Sequence, residues 1–118
     1  MALPVAPPSE RPLAPGQLVR HYATRTPLVI LPGKAAAAPP DAGRVGLLAQ
    51  GPTRAAGFAA VEILAPDGAL ETAAARLFAA LRRLDALGLD GILAEPCAEA
   101  GLGHAIMDRL RRAAAREG

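Results

Sequence analysis

Aromatic residues make up only 3% of these 118 residues, cysteine occurs once, and Lys34 is the sole lysine. Each shortage excludes something. Without interleaved aromatics the chain has no stacking platform for nucleic-acid bases. With Cys97 alone it can form no internal disulfide, which fits a reducing compartment. Its cations are almost all arginines scattered along the chain. A net charge of +2 therefore describes a mildly basic surface rather than a nucleic-acid footprint. No apolar run approaches the ~20 residues that span a bilayer. The N-terminus lacks the basic stretch and apolar core of a secretory signal, so the cytoplasm is the expected location. Walker loops, Gly-x-Ser-x-Gly elbows and His-Glu-x-x-His pairs are also missing.

Proline and alanine are plentiful instead. Pro4, Pro7, Pro8, Pro12 and Pro15 fix φ and remove donors, so the start of the chain reads as an extended arm. The arm is taken as residues 1–26 and the folded domain as 27–118. Arg20, His21 and Tyr22 stand side by side near the arm's end, three functional side chains that suit a contact surface.

Within the domain, the run Leu28–Leu31 between Pro27 and Pro32 predicts a strand covered on both faces. Arg44–Gln50 and Phe58–Leu64 are the second and third strands. The turn Gly51–Gly57 between them is too short for a helical crossover, leaving a hairpin or a compact loop. Pro39 and Pro40 interrupt the alanines of Gly33–Ala42, so the first connection is short and not a full helix. The clearest helix is Ala69–Leu87, whose Leu70, Ala74, Leu77, Phe78, Leu81 and Leu84 recur at three- and four-residue steps. Asp67 is placed to cap it and Gly88 to end it. On this reading Phe78 is a main core residue, and Phe78→Ala would cost ~3–5 kcal/mol. Gly91–Ala94 is the fourth strand, and Leu102–Arg116 the closing helix, with Ile106, Leu110 and Ala113 inward. The pattern is an α/β domain with a mainly parallel sheet of about four strands.

The stretch Gly91–Leu110 carries what chemistry there is. Glu95 follows a strand, and Gly101 and Gly103 make a tight turn into a helix. Ligands of open α/β sheets bind at that end. The turn lacks the third glycine of a dinucleotide fingerprint, since Ile106 stands there. Its other reading is a seat for the helix. Cys97 and His104 could form a thiolate pair, or join Glu95 around a metal. No orienting group accompanies them, so no catalytic residue and no metal site is assigned.

Three segments together resemble one family. Ala14–Ala23, APGQLVRHYA, is similar to the interdomain linker of long-form threonylcarbamoyl-AMP synthases. Ala75–Asp85, ARLFAALRRLD, and Ile92–Leu110, with its ILAEP and GLGHAIMDRL, resemble their C-terminal accessory, Sua-five-type domain. The resemblance implies a small Rossmann-like, three-layer fold. It also implies that the linker gates a YrdC-like catalytic domain, with Arg20, His21 and Tyr22 as the gate contacts. The family joins threonine, bicarbonate and ATP into threonylcarbamoyl-adenylate, on the way to N6-threonylcarbamoyladenosine in tRNA. These are substrates of the parent family, held by the YrdC-like domain, which has no counterpart in these residues. The chain alone is thus expected to be inactive and to hold no cofactor. Its expected partner is that catalytic domain, and neither nucleic acid nor membrane. The alternative is an autonomous small-molecule or nucleotide-binding module built on Glu95, Gly101 and Gly103.

Overall fold

A computed structural model of the chain describes residues 24–115. Four strands form one sheet: β1 (Leu28–Ile30), β2 (Val45–Ala49), β3 (Ala60–Ile63) and β4 (Gly91–Ala94). Two helices complete the domain, α1 (Leu70–Asp85) and α2 (Leu102–Ala114). The strand order is β1-β4-β2-β3 and every pairing is parallel. The connection between β2 and β3 is therefore a compact non-helical loop and not a hairpin.

Register places Leu28, Ile92, Gly46 and Ala60 in one row across the sheet, and Ile30, Ala94, Leu48 and Glu62 in the next row on that face. This face carries both helices. Leu28, Leu48, Ile92 and Ala94 share one buried cluster with Leu77, Leu81 and Leu84 of α1 and with Ile106, Met107 and Leu110 of α2. Burying a leucine-sized side chain there stabilises by ~1.5–3 kcal/mol before chain entropy is subtracted.

The opposite face is built differently. The chain steps from β1 to β2 to β3 in one direction across the sheet, then returns to β4 through α1. Right-handed crossovers put connections that run in opposite directions on opposite faces. The two irregular connections, residues 31–44 and 50–59, accordingly lie on the face away from the helices. They are held to each other by a bridge between Ala37 and Ala56 and by the Ala38 amide donating to the Ala56 carbonyl at 2.9 Å. Val45, Leu47 and Ala49 of central β2 point to that face and are buried. The outer layer expected there thus consists of loops among the described residues.

Two expectations fail. The strand at Leu28–Ile30 is not covered on both faces: it is an edge strand, and Val29 is 57% exposed. Phe78 is not a core residue either, being 45% exposed. The α1 stripe that meets the sheet is Ala73, Leu77, Ala80, Leu81 and Leu84. Phe78 sits one step round the helix, between the guanidinium groups of Arg82 and Arg109, 5.6 and 5.8 Å from its ring centre. Small alanines occupy the positions where the helix approaches the sheet, leaving the phenyl ring at the rim. Phe78→Ala is therefore expected to lower stability by only about 1 kcal/mol, the scale of two exposed cation–π contacts. A loss above ~3 kcal/mol in urea unfolding would return Phe78 to the core.

Asp67 receives the Ala69 amide at 3.0 Å and the Thr72 hydroxyl at 2.9 Å, so it organises the entry of α1 from two residues before its cap. At the other end of α1, Asp85 accepts the amides of Thr26 at 2.8 Å and Arg25 at 3.2 Å. The Thr24 amide reaches the Ala113 carbonyl near the end of α2. Residues 24–26 are thereby pinned at the N-terminal edge of the sheet. Burial raises the Asp85 pKa, but the Thr26 amide and hydroxyl, with the Arg25 amide and charge, outweigh it, and the net shift is downward from 3.8. A carboxylate depressed in the folded state stabilises fully above its unfolded value, and that contribution is lost as pH falls through the folded value. Stability of the parent should accordingly decline below about pH 4, and Asp85→Asn should flatten that decline. An identical acid limb in the variant would contradict the anchor.

Candidate functional site at the strand ends

The C-terminal edge of the sheet collects the loops that follow all four strands. β4 lies between β1 and β2, and its loop turns toward the helices while its neighbours' loops turn away. That divergence opens a crevice of the kind in which α/β sheets hold ligands. Glu95, the first residue after β4, fills it. Its side chain is completely buried. One carboxylate oxygen accepts the Ala35 amide at 2.8 Å and the other the Gln50 amide at 3.1 Å. The Gln50 side-chain amide returns to the Glu95 carbonyl at 3.0 Å. This one residue thus ties together the loops after β1, β2 and β4.

Gly101 and Gly103 lie further along the same loop. Gly101, at φ +57°, precedes α2 in a conformation open to glycine. A Cβ on Gly103 would stand 1.8 Å from the Ala98 carbonyl oxygen. The first amides of the turn are used internally, Gly103 to the Ala100 carbonyl and His104 to the Gly101 carbonyl. Among the described residues, no hydrogen bond joins the Glu95 carboxylate to this turn. The glycines seat α2 against its entry loop, while Glu95 faces the other two loops.

Cys97 and His104 are likewise separate. The Cys97 thiol faces the Gly103 carbonyl at 3.6 Å, and burial, then the Glu99 charge, push its pKa up from 9.0. A thiol held protonated in this way is a poor nucleophile. The His104 ring is 73% exposed and lies 3.7 Å from Glu99. Among the described residues, no three His, Cys, Asp or Glu side chains cluster to hold a metal. Arg20, His21 and Tyr22 fall outside the described residues.

One feature of this edge was not anticipated. Beside Glu95, between the loops after β1 and β2, lies an open cavity of about 660 Å³ lined by residues 34–36 and 52–55. The lone lysine, Lys34, and Arg54 border it from opposite loops. The sequence signal for it was a basic residue shortly after each of two strands, visible only once β1 and β2 are known to run side by side with β4.

Residues 2–115 match the family model described as threonylcarbamoyl-AMP synthase, C-terminal domain. The chain is 34% identical over 111 residues to the threonylcarbamoyl-AMP synthase of Pyrococcus abyssi, covering 85% of this chain and 31% of that protein. It is 35% identical over 121 residues to the Bacillus subtilis enzyme of the same name, covering 90% of this chain and 33% of that one. The chain therefore spans about a third of these relatives' length. Its fold is similar to part of the crystal structure of P. abyssi Sua5 complexed with L-threonine, with a TM-score of 0.61, 28% identity, and coverage of 78% of this chain and 29% of that one. A variant of the same protein with an adjacent histidine and tyrosine replaced by alanines matches at a TM-score of 0.53 and 31% identity, over 75% of this chain and 28% of that one.

Proposed function

Because the chain belongs to the family of threonylcarbamoyl-AMP synthase C-terminal domains, we propose that it serves as the accessory, regulatory domain of such a synthase. In this reading it gates a YrdC-like catalytic domain through its arm, in the pathway to N6-threonylcarbamoyladenosine in tRNA. The catalytic domain takes ATP, threonine and bicarbonate. In this reading acid, base and nucleophile belong to that catalytic domain. The observation that carries the reading is the extent of the family match, which runs from residue 2 through the arm and across the whole α/β body.

The arm's contacts are assigned to Arg20, His21 and Tyr22. Tyr22 is the only tyrosine, so His21-Tyr22 is the chain's single His-Tyr pair. A pair of that kind was the one replaced in the P. abyssi variant. The anchoring of Thr26 to Asp85 gives the arm a fixed point of departure. The cytoplasm, where tRNA modification takes place, is the proposed compartment. No helix among the described residues is long and apolar enough to cross a membrane.

Capture of a separately produced YrdC-like domain by the immobilised chain tests the partnership. Binding is expected for the parent and should fall at least tenfold for the His21→Ala/Tyr22→Ala variant. Failure of both to bind would overturn the proposal.

A further inference from the structure

The cavity between the first two loops is not explained by gating, and its chemistry is specific enough to name a ligand class. We infer that it binds a phosphate chain of at least two phosphates, free or carried by a nucleoside. Four observations carry this. The cavity lies at the carboxyl ends of parallel strands, beside the point where successive loops diverge to opposite faces. Its volume of about 660 Å³ falls within the ~300–1,000 Å³ of small-molecule sites. Lys34 and Arg54 line it from different loops. Neither side chain makes a hydrogen bond or ion pair with another described residue, although arginines elsewhere on the domain are matched with carboxylates, as Arg83 is with Glu62 and Arg112 with Asp108.

The neighbouring Glu95 does not itself line the cavity. Glu95 is fully buried, and its two oxygens face the amides of Ala35 and Gln50. By holding Ala35 it fixes the loop that presents Lys34, and by holding Gln50 it fixes the start of the loop that presents Arg54. It thus acts as a positioning residue for both cations. Two cations in a recess suit a compact polyanion. A nucleic-acid backbone would need a longer track of charge, and no aromatic lines the cavity to stack a base. The Thr53 hydroxyl accepts the Ala55 amide at 3.1 Å, which leaves its own proton available to a phosphate oxygen.

The test is a titration of the full 118-residue chain, followed by amide NMR, with ATP, pyrophosphate, orthophosphate and threonine in turn. ATP and pyrophosphate should each give saturable shifts centred on the amides of residues 34–36 and 53–55, with orthophosphate at least tenfold weaker and threonine silent. Equal affinities for ATP and pyrophosphate would assign the site to the phosphate chain alone. Tighter binding of ATP would add the nucleoside to what it reads. Lys34→Ala/Arg54→Ala should weaken both ligands at least tenfold while the remaining spectrum stays that of the parent, and binding should fall as salt rises. The inference is overturned if the shifts fall elsewhere, if none saturates, or if the double variant binds as well as the parent. None of these readouts involves the catalytic domain, so failure here leaves the gating proposal standing, and the reverse also holds.

Discussion

Glu95→Ala is expected to lower the unfolding free energy by about 3–5 kcal/mol. The substitution strands the amides of Ala35 and Gln50, each worth about 1–3 kcal/mol when left without an acceptor, and opens a void in a fully covered site. Glu95→Gln keeps the volume and one carbonyl acceptor but turns a donor toward the second amide, so it should lose roughly half as much. Urea unfolding followed by far-UV circular dichroism measures both. The effect should also be local in origin, with hydrogen exchange of the Ala35 and Gln50 amides accelerating before that of β2. An alanine variant within ~0.5 kcal/mol of the parent would show that the three loops are joined by something other than this carboxylate.

Gly103→Ala should be comparably damaging for a different reason. Its Cβ would lie 1.8 Å from the Ala98 carbonyl oxygen and 3.1 Å from the carbonyl carbon. Both are backbone atoms, so no rotamer change relieves the clash, and either the loop or the first turn of α2 must move. Overpacking of a buried position costs about 1–3 kcal/mol, more where backbone is displaced, so a loss of about 3 kcal/mol is expected. Gly101 has open space around it, and only its positive φ opposes a side chain. Gly101→Ala should therefore cost about 1–2 kcal/mol, the strain of holding an L-residue at φ +57°, ψ −129°. If the two alanine variants were equally stable, close approach would not be why Gly103 is glycine.

Much of the fold could be read from local patterns. The apolar run at Val45–Ala49 became a central strand buried on both faces, and Gly91–Ala94 a central strand that buries Ile92 and Ala94 on its helix face. The three- and four-residue spacing of Leu77, Leu81 and Leu84 became the buried side of α1. Ile106, Leu110 and Ala113 of α2 turned inward for the same reason. Edges were less legible. Leu28–Ile30 has the composition of a central strand, and only the strand order leaves Val29 in solvent. Phe78 misled because size suggested burial, whereas the approach of α1 to the sheet selects alanine at positions 73 and 80.

The site was half visible. Glu95 stood out by its place after a strand, but its partners, Ala35 and Gln50, are 60 and 45 residues away and contribute only backbone amides. No side-chain pattern reports a backbone donor. Gly101 and Gly103 fit both a ligand turn and a helix seat in the sequence, because glycine spacing is common to the two; the close approach of Gly103 to Ala98 explains the second use. Lys34 and Arg54 carry no local signal of their own; only the parallel sheet brings their loops to one cavity.

In the proposed function this α/β body acts on a catalytic domain through the arm attached to it. The most direct measurement is the rate at which a YrdC-like domain forms threonylcarbamoyl-adenylate from threonine, bicarbonate and ATP, with and without saturating amounts of this chain. The rate should change several-fold with the parent chain and little with the His21→Ala/Tyr22→Ala variant, and the chain by itself should give no product. A rate indifferent to the parent chain, or adenylate formed by the chain alone, would contradict the proposal.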